Sequence, residues 1–119
     1  MTISKIRELL DATLLCGDNS LCEREVYTAC GSDMMSDVLA YVKDQAVLLT
    51  GLVNTQVVRT AAMMDMLCIV FVRNKQPSEE MLALAREHGI VVMQSSKRMY
   101  EACGLLYANG LHDNGGCHG

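Results

Sequence analysis

Five short apolar runs, "ATLLC" (12–16), "VYTAC" (26–30), "AVLLT" (46–50), "LCIVFVR" (67–73) and "IVVMQ" (90–94), alternate with stretches whose apolar residues recur at helical spacing. No other feature constrains the fold as strongly. The middle and last runs are apolar throughout rather than at every second position, which is the pattern of strands buried on both faces of a parallel sheet. Strands that alternate with helices of about 10 to 15 residues argue for a parallel sheet covered on both faces, with right-handed crossovers. The expected class is α/β. The link between the first two runs, "GDNSLCERE", is polar and too short for a crossover helix, so it is read as a loop.

The helices carry their own punctuation. "MTISKIRELLDA" sets Ile3, Ile6, Leu9 and Leu10 on one face. "GSDMMSDVLAYVKDQ" offers Ser32 or Asp33 as N-cap, an apolar stripe of Val38, Leu39 and Val42, and an end near Lys43. In "GLVNTQVVRTAAMMD", Val57, Val58, Ala61 and Ala62 are expected to face inward. Ser78 caps a helix with Glu79 and Glu80 in its first turn, Arg86 and His88 in its last and Gly89 just beyond, so charge matches the helix dipole at both ends. "SSKRMYEACGLLYANG" predicts a last helix with Met99, Cys103, Leu106 and Tyr107 on one face and Gly110 as its stop.

A chain of 119 residues fits one domain with a real core, expected over residues 1–110. Residues 111–119 belong to the glycine-rich stretch "GLHDNGGCHG" and are expected to form a flexible tail. Ten basic against fourteen acidic side chains leave a net charge of -4, so no long-range pull toward nucleic acid or anionic lipid is expected. Any anion site must be local. No apolar run approaches the roughly 18 to 20 residues of a membrane span. Glu8 and Asp11 interrupt the opening segment, unlike a signal peptide, and a cytoplasmic protein is expected. Six cysteines without an export signal are expected to be reduced, with Cys16, Cys68 and Cys103 packing as small hydrophobes.

Ligands of open α/β sheets collect at the carboxyl ends of strands, here "CGD", "CGSD", "TGLVNT", "RNK" and "SSK". The candidate ligand-binding residues there are Gly31, Ser32, Asp33, Thr50, Gly51, Asn54, Thr55, Arg73, Ser95, Ser96, Lys97 and Arg98. Many of these residue types also serve as ordinary helix caps. Lys97 and Arg98 are expected in the first turn of the last helix, where a cation is unfavourable by about 0.3 to 1 kcal/mol. With Arg73 and Lys75 they would gather four cations on one rim, suited to a phosphate or carboxylate, although two solvated basic loops would look the same.

Catalytic signals are poor. There is no Walker phosphate loop, no strand-linked GxGxxG and no HExxH. Cys16, Cys22 and Cys30 are spaced unlike common zinc or iron-sulfur motifs, yet Cys16 and Cys30 end strands and are expected to be neighbours if those ends share a rim. Cys30 at a strand-to-helix turn also admits a thiol enzyme. Cys117 and His118 could take adventitious metal, and methionines such as Met34, Met35 and Met63 to Met66 suit adaptable packing.

At "GSDMMSDVLAYV", "LLTGLVNTQVVRTAAMMDMLCIVFVRNKQP" and "GIVVMQSSKRMYEACGLLYANGL" the chain resembles DRTGG-domain proteins, over residues 1 to about 111. Asp33 fits the family's aspartate, and Thr50 with Gly51 its threonine and first glycine. Met34 stands where arginine is typical, and Leu52 where the second glycine is. Similar modules precede the catalytic part of HPr kinase/phosphorylase, occur in some phosphotransacetylases and lie between CBS domains of regulated pyrophosphatases. Short stand-alone forms resembling this chain are found near iron-only hydrogenase genes. The resemblance implies a three-layer α/β/α fold with a five-stranded mainly parallel sheet, a homodimer and no catalysis by the module itself. The expected function is a regulatory or ligand-binding module that senses a nucleotide or other phosphorylated small molecule, linked to hydrogenase metabolism. The alternative is an iron-sulfur-binding accessory protein of a hydrogenase system, using Cys16, Cys22 and Cys30 and partnered by a hydrogenase-related protein.

Overall fold

The computed structural model describes residues 1–41 and 45–111. Along the chain run α1 (Ile3–Leu10), β1 (Thr13–Cys16), α2 (Asn19–Cys22), β2 (Thr28–Gly31), α3 (Met35–Tyr41), β3 (Ala46–Thr50), α4 (Thr55–Met63), β4 (Cys68–Phe71), α5 (Glu79–Glu87), β5 (Val91–Gln94) and α6 (Met99–Ala108). The five strands form one sheet in the order β1-β5-β4-β3-β2. The expected α/β class and the five-stranded, mainly parallel sheet are both present.

From β2 to β5 the chain steps one place at a time across the sheet, and all three pairings are parallel. Right-handed crossovers that keep stepping in one direction place their helices on one face. Val38 of α3, Val57, Val58 and Ala61 of α4, and Met81, Leu82 and Ala85 of α5 accordingly share one core with Leu48, Ile69, Phe71 and Val92. The other face buries Ile3, Ile6 and Leu10 of α1, Cys22 of α2, and Ala102 and Leu106 of α6 against Val47, Leu49, Val70 and Met93. Successive strand residues thus feed opposite cores, which is why these runs must be apolar at every position.

β1 is the exception. It lies at the far edge and pairs antiparallel with β5, Thr13 opposite Gln94 and Leu14 opposite Met93. The chain between β1 and β2 therefore passes from one edge of the sheet to the other. It also contains a helical turn, α2, where a loop is expected from the sequence. Asp18 holds that turn by accepting the Leu21 N–H at 2.9 Å and the Ser20 hydroxyl at 2.8 Å, bonds that keep its carboxyl below the usual carboxylate range.

The ends of α5 match expectation in detail. Ser78 accepts the Met81 N–H, Glu79 and Glu80 fill the first turn, and Gly89 adopts φ 67° beyond His88. Other expectations need correction. α6 starts at Met99 with Arg98 as its N-cap, so Lys97 and Arg98 precede the helix instead of lying in its first turn. Its core face is Ala102 and Leu106, with Met99 and Cys103 packed against the same core as expected, and Tyr107 is exposed. Leu39 is also exposed, whereas Val38 is buried. Leu111, assigned to the tail, is buried and donates its N–H to Leu106 O at 2.9 Å. Val42, Lys43 and residues 112–119, with His112, Cys117 and His118, lie outside the described residues. No helix among the described residues is long and apolar enough to cross a membrane.

Candidate functional site

Asp33 organises the carboxyl rim of the sheet. Neither Ser32 nor Asp33 caps α3 as the sequence led us to expect. Ser32 accepts the Met34 N–H at 2.9 Å in a tight local turn, which frees Asp33 to reach across to the end of β3. Its Oδ1 accepts the Thr50 hydroxyl at 3.0 Å and the Gly51 N–H at 2.7 Å. The fully buried Thr50 hydroxyl accepts in turn from the Leu52 N–H at 3.1 Å. These bonds tie the β2–α3 connection to the β3–α4 connection and satisfy backbone groups that would otherwise be stranded at the sheet end.

Arg73 joins the same cluster from the turn after β4. Its guanidinium Nη2 lies 3.9 Å from Asp33 Oδ2 and rests against the Gly51 backbone, where a Cβ would collide with it. Arg73 and Asn74 both hold left-handed backbone, φ 58° and 56°. Such conformations cost non-glycine residues roughly 1 to 2 kcal/mol each and persist only when neighbours over-determine them. Here Lys97 O accepts the Arg73 N–H at 2.8 Å and Ser95 O accepts the Asn74 N–H at 2.9 Å. The β4–α5 and β5–α6 loops are thereby locked to each other. Met34 stands where the motif has arginine, yet the structure brings a guanidinium to the motif's aspartate and glycine from the turn after β4.

Between the β2–α3 connection and the start of α6 opens a cleft of about 470 Å³, lined by Gly31, Ser32, Asp33, Arg73, Arg98, Met99 and Tyr100. The two flanking helices lie on opposite faces of the sheet, and the cleft sits at the carboxyl ends of the parallel strands, where ligands of α/β folds collect. Arg98 cannot accept a hydrogen bond, so the first N–H groups of α6 have no side-chain cap. The Tyr100 ring is 93% exposed at this cleft. Guanidinium forks suit phosphate or carboxylate oxygens, and an exposed phenol ring beside them suits a flat base.

The structure thus gathers Gly31, Ser32, Asp33, Arg73 and Arg98 around one space, with Thr50 and Gly51 behind them. The remaining candidates have other duties. Asn54 caps α4 by accepting the Val57 N–H, and Thr55 accepts from Arg59 at 3.4 Å. Ser95 is buried, its hydroxyl donating to Leu10 O at 2.7 Å and accepting the Lys97 N–H. Lys97 pairs with Glu101 at 3.7 Å, and Ser96 is an exposed loop residue outside the cleft lining. Met99 and Tyr100 were not among the expected site residues. Their signal is position, since they immediately follow the last rim loop.

The question whether Cys16 lies beside Cys30 at the rim is answered in the negative by the topology. β1 and β2 form opposite edges with three strands between them, a separation of about 19 Å at the usual spacing. Because β1 is antiparallel, Cys16 also points to the other rim, where its thiol donates to Ile90 O at 3.6 Å. Cys22 packs under the sheet on the opposite face. Among the described residues no three cysteine, histidine or acidic side chains are placed to share a metal ion. Burial pushes the Cys16, Cys22, Cys68 and Cys103 thiols up.

Residues 5–108 match the DRTGG domain. The chain belongs to that family. Among solved structures, this DRTGG domain is similar to the CBS and DRTGG domains of the regulatory region of Clostridium perfringens pyrophosphatase, complexed with the activator diadenosine tetraphosphate. The TM-score is 0.74 at 15% identity, over 88% of this chain, which spans 45% of that one. No curated protein matches.

Proposed function

We propose that this DRTGG domain is a non-enzymatic regulatory module that binds a nucleotide or another phosphorylated small molecule in the cleft between the β2–α3 connection and α6. The observation that carries the reading is the convergence there of Arg73, Arg98 and the exposed Tyr100 ring. The nucleotide activator in the solved relative supports the same ligand class. Asp33, the carboxylate of the cleft, has one oxygen committed to Thr50 and Gly51, so it serves architecture before chemistry. Calorimetric titration with AMP, ATP and diadenosine tetraphosphate tests this. Binding that weakens by roughly tenfold in Arg98→Ala is expected, and silence across the panel overturns the reading.

The module acts as a homodimer through the outer side of α6. Glu101 is the one charged residue of that helix, and Gly104, Tyr107 and Ala108, outside the cleft, are exposed on it. A helix that is apolar on all sides is normally covered on all sides. Sedimentation should give a dimer that Tyr107→Glu dissociates, and a monomeric parent would refute it. The sequence resemblance supports a cytoplasmic module linked to hydrogenase metabolism. Co-purification of a hydrogenase protein from the native host is the expected outcome, and recovery of the chain without one counts against it.

A further inference from the structure

The cation that the cleft offers is already engaged, and loosely. We infer that Asp33 is the resting counter-ion of Arg73, and that a phosphoryl group entering the cleft displaces it, with Asp33 and Gly51 acting as positioning residues for an exchangeable Arg73. This inference rests on the phosphorylated-ligand reading above and adds how that site is held before it is filled.

The two oxygens of Asp33 have separate tasks. Oδ1 takes the hydrogen bonds from Thr50 and Gly51, whereas Oδ2 meets Arg73 at 3.9 Å, too far for a hydrogen bond. Losing Arg73 would therefore cost Asp33 no hydrogen bond, and the carboxylate would stay anchored to the end of β3. The side chains of both partners are about half exposed, 49% for Arg73 and 48% for Asp33, so the vacated carboxylate rehydrates and the pair is weak in water. A phosphate accepting both arms of the guanidinium at hydrogen-bond distance makes the stronger contact.

Gly51 fits the same arrangement. Its backbone has no positive φ, so glycine is present for room instead of conformation. The room is occupied by the Arg73 guanidinium. Behind it, the Arg73 and Asn74 N–H groups are held by Lys97 O and Ser95 O, so an exchange of partners can be confined to the side chain.

The test is calorimetric titration of wild type, Asp33→Asn and Arg73→Gln with ATP and, separately, inorganic triphosphate. Asp33→Asn keeps an oxygen for Thr50 and Gly51 but removes the competing charge. Roughly three- to tenfold tighter binding of both probes is expected for it, and roughly tenfold weaker binding for Arg73→Gln. Tightening for ATP alone would place the gain on the base instead of the phosphates and overturn the inference. Unchanged or weaker binding by Asp33→Asn also overturns it while leaving the proposed function intact, and a wild type that binds neither probe overturns both. Should Asp33→Asn fail to fold, the wild type decides by NMR. At saturating ATP the Arg73 Nε–Hε resonance should move while Gly51 amide exchange stays unchanged, and a stationary Arg73 resonance refutes the exchange.

Discussion

Three glycines at strand ends serve three physical purposes, and substituting each should fail differently. Gly51→Ala meets only the far end of a flexible arginine, so its effect on stability should stay below about 1 kcal/mol, while ATP affinity falls because the added Cβ pushes the Arg73 guanidinium out of its position at the cleft. Gly31→Ala places a Cβ 2.5 Å from Cys103 Sγ and 3.1 Å from Met99 Sδ, both packed under the sheet. Overpacking there should cost about 1 to 3 kcal/mol in urea denaturation. Gly17 combines φ 121° with a Cβ position 2.9 Å from Val91 Cγ2, so no substitution there escapes strain. Thr50→Val keeps the shape but strips the hydroxyl shared by Asp33 and the Leu52 N–H. We expect a loss of about 1 to 3 kcal/mol, read by the same denaturation experiment.

Among the elements, the N-caps of α5 and α6 behave in opposite ways. Ser78→Ala should cost about 1 kcal/mol, as for any N-cap serine that accepts a first-turn N–H. Arg98→Ser runs the other way. Supplying α6 with the cap it lacks should raise stability by about 0.5 to 1 kcal/mol in thermal or urea melts, yet weaken ATP binding. A stabilised variant with undiminished affinity would show that Arg98 faces no ligand. What the sequence revealed follows the same division. β3, β4, β5 and α5 were legible because continuous apolar runs and the Ser78 and Gly89 punctuation agree with the tertiary structure. The start of α6 was not, because Ser95 and Ser96 look like caps. The Ser95 hydroxyl is claimed by Leu10 O, a partner at the other end of the chain that no local pattern announces. α2 was missed because a single turn held by Asp18 has too few residues to show a period. Of the candidate site, the rim residues were readable from strand ends, but which of them converge depended on how α6 crosses the sheet.

At the scale of the whole molecule, strand order decides what the cysteines can do. Composition does not encode strand direction, so the antiparallel β1 was invisible and with it the separation of Cys16 from Cys30. What the buried thiols share is a pKa pushed up by burial, most of all at Cys68. A folded-state pKa above the unfolded one contributes stability that is complete below the ordinary thiol pKa of about 8.5 and is lost as pH rises through the folded value. Melting temperature should therefore decline above about pH 9. Cys68→Ala should flatten that alkaline limb whatever its effect at neutral pH, and an unchanged slope would show that another group governs it.

The pairing of β1 with β5 has a consequence for synthesis. β1 leaves the ribosome long before β5, the strand it pairs with. Until residues 91–94 emerge, Ile3, Ile6 and Leu10 of α1 lack much of the core that covers them. Such long-range closure is slow and leaves apolar surface open to other chains. A product cut anywhere between the two strands would display that surface permanently. The edge that completes the sheet is therefore also among the last parts of it that can form.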